Sequence, residues 1–92
     1  MLHVLVLYQE APDPERYAAH AELCRAVPGG TFSHGRVFAT PVGEPAYAYA
    51  AEWRFADREA FDTATRSAEF AATGRDAAAL GLRFSVHFAE SA

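Results

Sequence analysis

The sequence predicts an α+β domain in which four strands make one antiparallel sheet and helices cover one of its faces. Three observations carry that expectation. Short apolar runs, Leu2 to Tyr8 and Leu82 to Ala89, stand at the two ends of the chain. A ring-rich alternating segment, Ala46 to Phe55, follows a loop built on Pro41, Gly43 and Pro45. Two stretches of helical periodicity, each opened by an aspartate, separate these strands.

Leu2 to Tyr8 is nearly all apolar, so both faces of this strand are expected to be covered: Leu2, Val4, Val6 and Tyr8 on one side, His3, Leu5 and Leu7 on the other. Asp13-Pro14 then supplies an N-cap and a proline at the first helical position, where its missing N–H costs nothing. In the helix that follows, Tyr17, His20, Leu23, Cys24 and Val27 are expected to form the inward stripe, and Pro28-Gly29-Gly30 ends it. Thr31 to Thr40 alternates Phe32, His34, Arg36 and Phe38 with smaller residues, which suits a strand. Its partner, Ala46 to Phe55, puts Tyr47, Tyr49, Ala51, Trp53 and Phe55 on one face and Ala46, Ala48, Ala50, Glu52 and Arg54 on the other. Asp57 caps a second helix with Phe61, Ala64, Ala68 and Ala71 inward and a break at Ser67. Gly74 weakens its later part. The last strand places Leu82, Phe84, Val86 and Phe88 together. The order β-α-β-β-α-β is the split β-α-β, ferredoxin-like plan, with expected strand order 4-1-3-2.

Composition sets the bounds. The chain has 92 residues, enough for a single domain at 1–92, and its 51% hydrophobic and 22% charged content excludes a disordered chain. A formal charge of -4 leaves no basic stripe, so neither nucleic acid nor an anionic membrane surface is expected as a partner. No apolar run approaches the roughly 20 residues that span a bilayer. Met1-Leu2-His3-Val4 lacks the basic start of a signal peptide, and the lone Cys24 suits a reducing compartment, so a cytoplasmic location is expected. There are 21 alanines and no isoleucine, so aromatic rings must fill a small core. A monomer of this size has little reserve stability, and a second copy is expected to cover the sheet face that the helices leave bare.

Several pieces of the chain, taken in order, resemble one family. Val4-Leu5-Val6-Leu7-Tyr8, Asp13-Pro14-Glu15 and His20-Ala21-Glu22-Leu23-Cys24-Arg25-Ala26-Val27-Pro28-Gly29 are similar to the EthD family, named for ethyl tert-butyl ether degradation. Glu52-Trp53-Arg54-Phe55-Ala56-Asp57-Arg58-Glu59-Ala60, Ser67-Ala68-Glu69-Phe70 and Phe88-Ala89-Glu90 continue the likeness over essentially the whole chain. The resemblance implies a dimeric α+β barrel: two ferredoxin-like protomers packed sheet to sheet, helices outside, with a pocket between helices and sheet. Related barrels use that pocket for oxygenase, isomerase, haem-binding or carrier roles, so the likeness raises the expectation of a small-molecule site and leaves its chemistry open. Two departures stand out. The family usually has His-x-Pro-Leu where this chain has His20-Ala21-Glu22-Leu23, and the segment between Asp13-Pro14 and His20 is about one helical turn short.

His20 is the candidate catalytic residue, because a histidine on the inward stripe can move a proton near neutral pH; the plainer alternative is a core-edge histidine bonded to backbone or tyrosine. Tyr17, His34, Tyr47, Tyr49, Trp53 and Phe55 are the expected substrate-binding set, a ring-lined wall suited to a flat apolar ligand and equally consistent with a plain core. His3, His34 and His87 show no metal-ligand spacing, so no metal is expected. No cofactor is expected either, and a bound haem would show as colour. Glu52 and Arg54 are expected to pair across a dimer or sit at its rim. Cys24 reads as a buried small hydrophobe. The chain is therefore expected to be a homodimer that binds a small hydrophobic or aromatic molecule, either as a cofactor-independent enzyme or as a non-catalytic carrier or accessory protein.

Overall fold

The computed structural model describes residues 1–92 and contains seven elements: β1 Leu2–Tyr8, α1 Pro14–Arg25, β2 Thr31–Arg36, β3 Tyr49–Phe55, α2 Arg58–Thr65, α3 Ala68–Ala79 and β4 Phe84–Glu90. The strands form one antiparallel sheet in the order β2-β3-β1-β4. This is the α+β, ferredoxin-like βαββαβ fold, with the second helical segment divided in two. The division is made by side chains. Ser67 accepts the Phe70 N–H at 3.1 Å to cap α3 and donates to the Ala64 carbonyl at the end of α2. Asp13 and Asp57 cap α1 and α2 in the same way, through Arg16 N–H and Ala60 N–H.

Register fixes which residues meet. Val4 lies opposite Trp53 and Phe88, Val6 opposite Ala51 and Val86, and Tyr8 opposite Tyr49 and Phe84. These side chains share the face under the helices. The core is built where α1 and α2 press on β1 and β3, from Val4, Tyr8, Trp53 and Phe55 against Tyr17, Cys24, Phe61 and Ala64. The Trp53 indole N–H donates to the Cys24 carbonyl at 2.9 Å, which pins the C-terminal turn of α1 to the centre of the sheet. Gly30 is required where α1 hands over to β2, because a Cβ there would lie 2.5 Å from Phe55 Cε1.

Several boundaries and phases differ from the sequence expectation. Ala21, not Leu23, completes the inward stripe of α1; Leu23 falls outside that stripe on a 3.6-residue helix and is exposed. In α3, Ala68 and Ala71 face outward and Thr73 and Ala77 are buried, because the cap at Ser67 restarts the helical phase. β2 stops at Arg36 and β3 begins at Tyr49, since Pro41 and Pro45 cannot donate to a ladder. Val37 N–H to the Ala48 carbonyl is the last link between them.

The molecule measures 38 × 32 × 16 Å, thick enough for one sheet and one helical layer only. The far sheet face, carrying His3, Leu5, Leu7, Ala50 and Glu52, has no cover within the chain. Glu52, expected to pair across a dimer or to sit at its rim, already has partners inside the protomer, His3 Nδ1 at 3.0 Å and Arg54 Nε at 3.8 Å. No helix is long and apolar enough to cross a membrane.

Candidate functional site

A cavity of about 160 Å3 opens between α3 and the β1/β4 half of the sheet. Its inner wall is made by buried Val4, Val6, Tyr8, Trp53 and Thr73, with His20 entering from α1. Nine of its twelve lining residues are hydrophobic, so polar chemistry there rests on very few groups. Thr73 spends its hydroxyl on the Phe70 carbonyl at 2.6 Å. His20 is the remaining polar group of note, and it is only 3% exposed.

The geometry of His20 is set by two residues that the sequence reading did not single out. Its Nδ1 lies 2.8 Å from Asp76 Oδ2. An ionised carboxylate only accepts, so Nδ1 carries the hydrogen and the neutral ring keeps its lone pair on Nε2. Nε2 has no hydrogen-bond partner in the chain, yet no buried side-chain nitrogen or oxygen is sealed off unpaired, so Nε2 is open to the cavity that His20 lines. Asp76 is itself gripped by Arg16, whose two terminal nitrogens donate at 3.1 and 2.7 Å. The Arg16 hydrogen bonds hold the Asp76 carboxyl below the usual carboxylate range, with His20 adding to the effect and burial opposing it. A depressed carboxylate pKa means that this contribution to stability is present at neutral pH and is lost as acid protonates Asp76.

The remaining predicted site residues do not converge on one place. Trp53 lines the His20 cavity. Tyr17, His34 and Tyr49 lie on the other side of α1 around a separate cleft of about 250 Å3 that also takes in Arg25. There His34 Nδ1 and the Tyr49 hydroxyl are hydrogen bonded, and burial lowers the His34 pKa, with Arg25 and His20 adding to the shift. The Tyr17 hydroxyl is paired with that of Tyr8 at 3.3 Å, and burial raises the pKa of both phenols. Tyr17 therefore forms a partition between the cavity and the cleft. Phe55 is in neither: it is fully buried at the opposite end of β3, edge-on to Phe61. Tyr47 lies in the segment before β3 and lines neither space. Cys24 is buried, its thiol pushed up to about 12 chiefly by burial, which makes it a poor nucleophile. No cluster of three or more His, Cys, Asp or Glu side chains comes together anywhere in the chain.

Comparison with solved structures bears on the family. One from Bacillus halodurans, described as an ethyl tert-butyl ether degradation (EthD) family protein, superposes with a TM-score of 0.82 at 26% identity, covering 100% of this chain and 99% of that one. The chain is structurally similar to an EthD family protein over its full length. A dimeric ferredoxin-like protein of unknown function from Jannaschia sp. matches with a TM-score of 0.75 at 20% identity and 98% coverage of both chains. SnoaB from Streptomyces nogalater, a cofactor-independent oxygenase, matches with a TM-score of 0.61 at 17% identity over 98% of this chain and 90% of that one. The EthD-like fold is therefore shared with proteins described as dimeric. No protein-family model matches the sequence, and no curated protein does.

Proposed function

We propose that the His20 cavity binds a small apolar or aromatic molecule and that His20 acts on it as a general base without a cofactor. The observation that carries this reading is the arrangement Arg16–Asp76–His20, which fixes one imidazole nitrogen and leaves the other facing an apolar cavity. Nε2 removes a proton from an acidic C–H or O–H of the ligand. The bond to hydrogen breaks, an N–H forms, and the electron pair stays in the ligand's conjugated system. Asp76 then faces an imidazolium, whose charge it stabilises at 2.8 Å. The resulting carbanion or phenolate is the species that isomerisation, ring closure or reaction with O2 each begins from. The likeness to a cofactor-independent oxygenase supports the same class of chemistry.

The second reading is a carrier without chemistry, favoured by the wall itself, which offers a ligand a single polar contact. Native mass spectrometry of the purified protein, followed by extraction of what it holds, separates the two. An enzyme converts the extracted compound on incubation and His20→Gln does not. Recovery of the compound unchanged, with equal binding by His20→Gln, removes the catalytic reading.

The bare sheet face is proposed to pair with a second copy. Leu5 and Leu7 there are only half covered by their own chain, and a structural relative is a dimer. Sedimentation at micromolar concentration is expected to give twice the 10.0 kDa chain mass; a stable monomer overturns the pairing.

A further inference from the structure

Of the six glycines, two have neither a positive φ nor a neighbour that a Cβ would meet, Gly35 in β2 and Gly74 in α3, and of these only Gly74 lines the His20 cavity. Gly29, Gly43 and Gly81 have positive φ. Gly30 lies under the Phe55 ring. Gly74 has neither constraint: it sits inside α3, its φ is not positive, and no atom lies within 4 Å of where its Cβ would be. Glycine is the poorest helix former after proline, so the position weakens α3 with no packing gain in return. Yet Gly74 lies on the inward stripe, in phase with Phe70, Thr73 and Ala77, and it lines the His20 cavity.

The cavity has two zones. Its inner zone is lined by buried residues. Its rim is made of exposed ones, Gly74 on α3 facing Phe84, Val86 and Phe88 on β4, with Phe88 as much as 62% exposed. A space of about 160 Å3 is that of a single aromatic ring, since an apolar cavity of roughly 150 Å3 takes up benzene. Anything larger must pass the rim.

We infer that Gly74 is the specificity-determining residue of this site: its missing side chain holds the gap between α3 and β4 open, so the cavity accepts a ligand with one ring inside and a fused ring or planar extension lying across Phe84, Val86 and Phe88. The substrate class is thus an extended planar molecule with its reactive ring at His20, rather than a single-ring compound. This inference rests on the His20 cavity being the binding site.

The test uses the full chain, with Trp53, the only tryptophan, as the reporter in the inner wall. Phenol is the one-ring probe and 1-naphthol the two-ring probe. The wild type is expected to bind both, 1-naphthol more tightly. Gly74→Leu is expected to weaken 1-naphthol by about tenfold or more while leaving phenol nearly unchanged, because a side chain at the rim excludes only what projects through it. Gly74→Ala, with the smallest added group, is expected to melt at or above the wild-type temperature and to show the same discrimination more weakly. Unchanged 1-naphthol affinity in Gly74→Leu, with a normal melting transition, overturns the inference and leaves the cavity reading standing. Equal loss of both probes overturns the division into inner zone and rim. If the wild type binds neither probe, the cavity reading fails and this inference falls with it.

Discussion

His20 and His34 both pack against one ring, their centroids 5.2 and 5.1 Å from that of Tyr17, but they line different spaces and their surroundings make them different tools. His20 is buried against an ionised carboxylate, with its other nitrogen facing an apolar space. His34 is exposed, bonded to a neutral phenol, stacked on Phe32 and faced by the cation of Arg25. The carboxylate fixes the tautomer of His20, whereas burial first and the nearby guanidinium second disfavour a proton on His34. On the proposed reading, proton transfer belongs to the α1–α3 side of Tyr17, and the β2 side is a surface cleft.

The sharpest way to break this contrast is to remove each imidazole in turn. His20→Ala is expected to reduce turnover of the natural ligand by about 10²–10⁴-fold, the range for a lost general base. His34→Ala is expected to leave turnover nearly unchanged. Equal losses, read from initial rates on both variants, would make the two histidines parts of one site and dissolve the partition at Tyr17.

Removal of the counter-charge is the next largest change. Asp76→Ala leaves a buried His20 N–H without an acceptor, which costs about 1–3 kcal/mol. It also frees the ring to adopt the other tautomer, so activity is expected to fall although His20 remains. Asp76→Asn separates the effects: an amide oxygen can still accept from Nδ1, restoring much of the stability, but it lacks the charge that stabilises the imidazolium. Urea denaturation and initial rates on both variants check this. Full activity in Asp76→Asn would remove the electrostatic part of the argument.

What the sequence made legible was whatever depends on local pattern. Strand alternation, the caps at Asp13 and Asp57, the reset at Ser67 and the inward phase of His20 are all short-range signals, and the structure keeps them. What it hid depends on separation. Asp76 meets His20 across 56 residues, and nothing near Asp76 distinguishes it from a solvent-facing helix residue. One clue was available: after a cap at Ser67, Phe70, Thr73 and Ala77 define an inward stripe that places Gly74 and Asp76 beside it. Carrying the earlier helix's phase through Ala68 and Ala71 concealed it. The ring wall misled in a related way. Alternation correctly put Tyr49, Trp53 and Phe55 on one face of β3, but 3.3 Å of rise per residue spreads them along the sheet. The helices then divide that length into a cleft, a cavity and a core.

The partition itself is open to test. Tyr17→Phe leaves the Tyr8 hydroxyl buried without its partner, at a cost of about 1–2 kcal/mol, whereas the double replacement Tyr8→Phe/Tyr17→Phe removes both groups and is expected to recover part of that loss. Additive losses in thermal denaturation would show that the two phenols do not support each other. Such a result would leave the ring packing of Tyr17 against Tyr49, at 5.0 Å, as what holds the wall in place.

The smallest effect expected is the pH dependence that His34 gives to folding. Its pKa is lowered in the folded chain, first by burial and then by the nearby Arg25 and His20 side chains. The unfolded chain therefore binds a proton at His34 more readily than the folded chain does. As pH falls through the ordinary histidine value of about 6.5 towards the lowered one, stability decreases, and below the lowered value this contribution levels off. His34→Gln removes the group, so the difference in unfolding free energy between variant and wild type is expected to shift in favour of the variant on going from pH 7.5 to pH 5, about neutral in sign at the upper end. The shift is small because the side chain is exposed and screened by solvent. A difference that does not change with pH would mean that His34 titrates alike folded and unfolded. The Arg25 charge would then have no hold on it, and the electrostatic half of the contrast with His20 would rest on Asp76 alone.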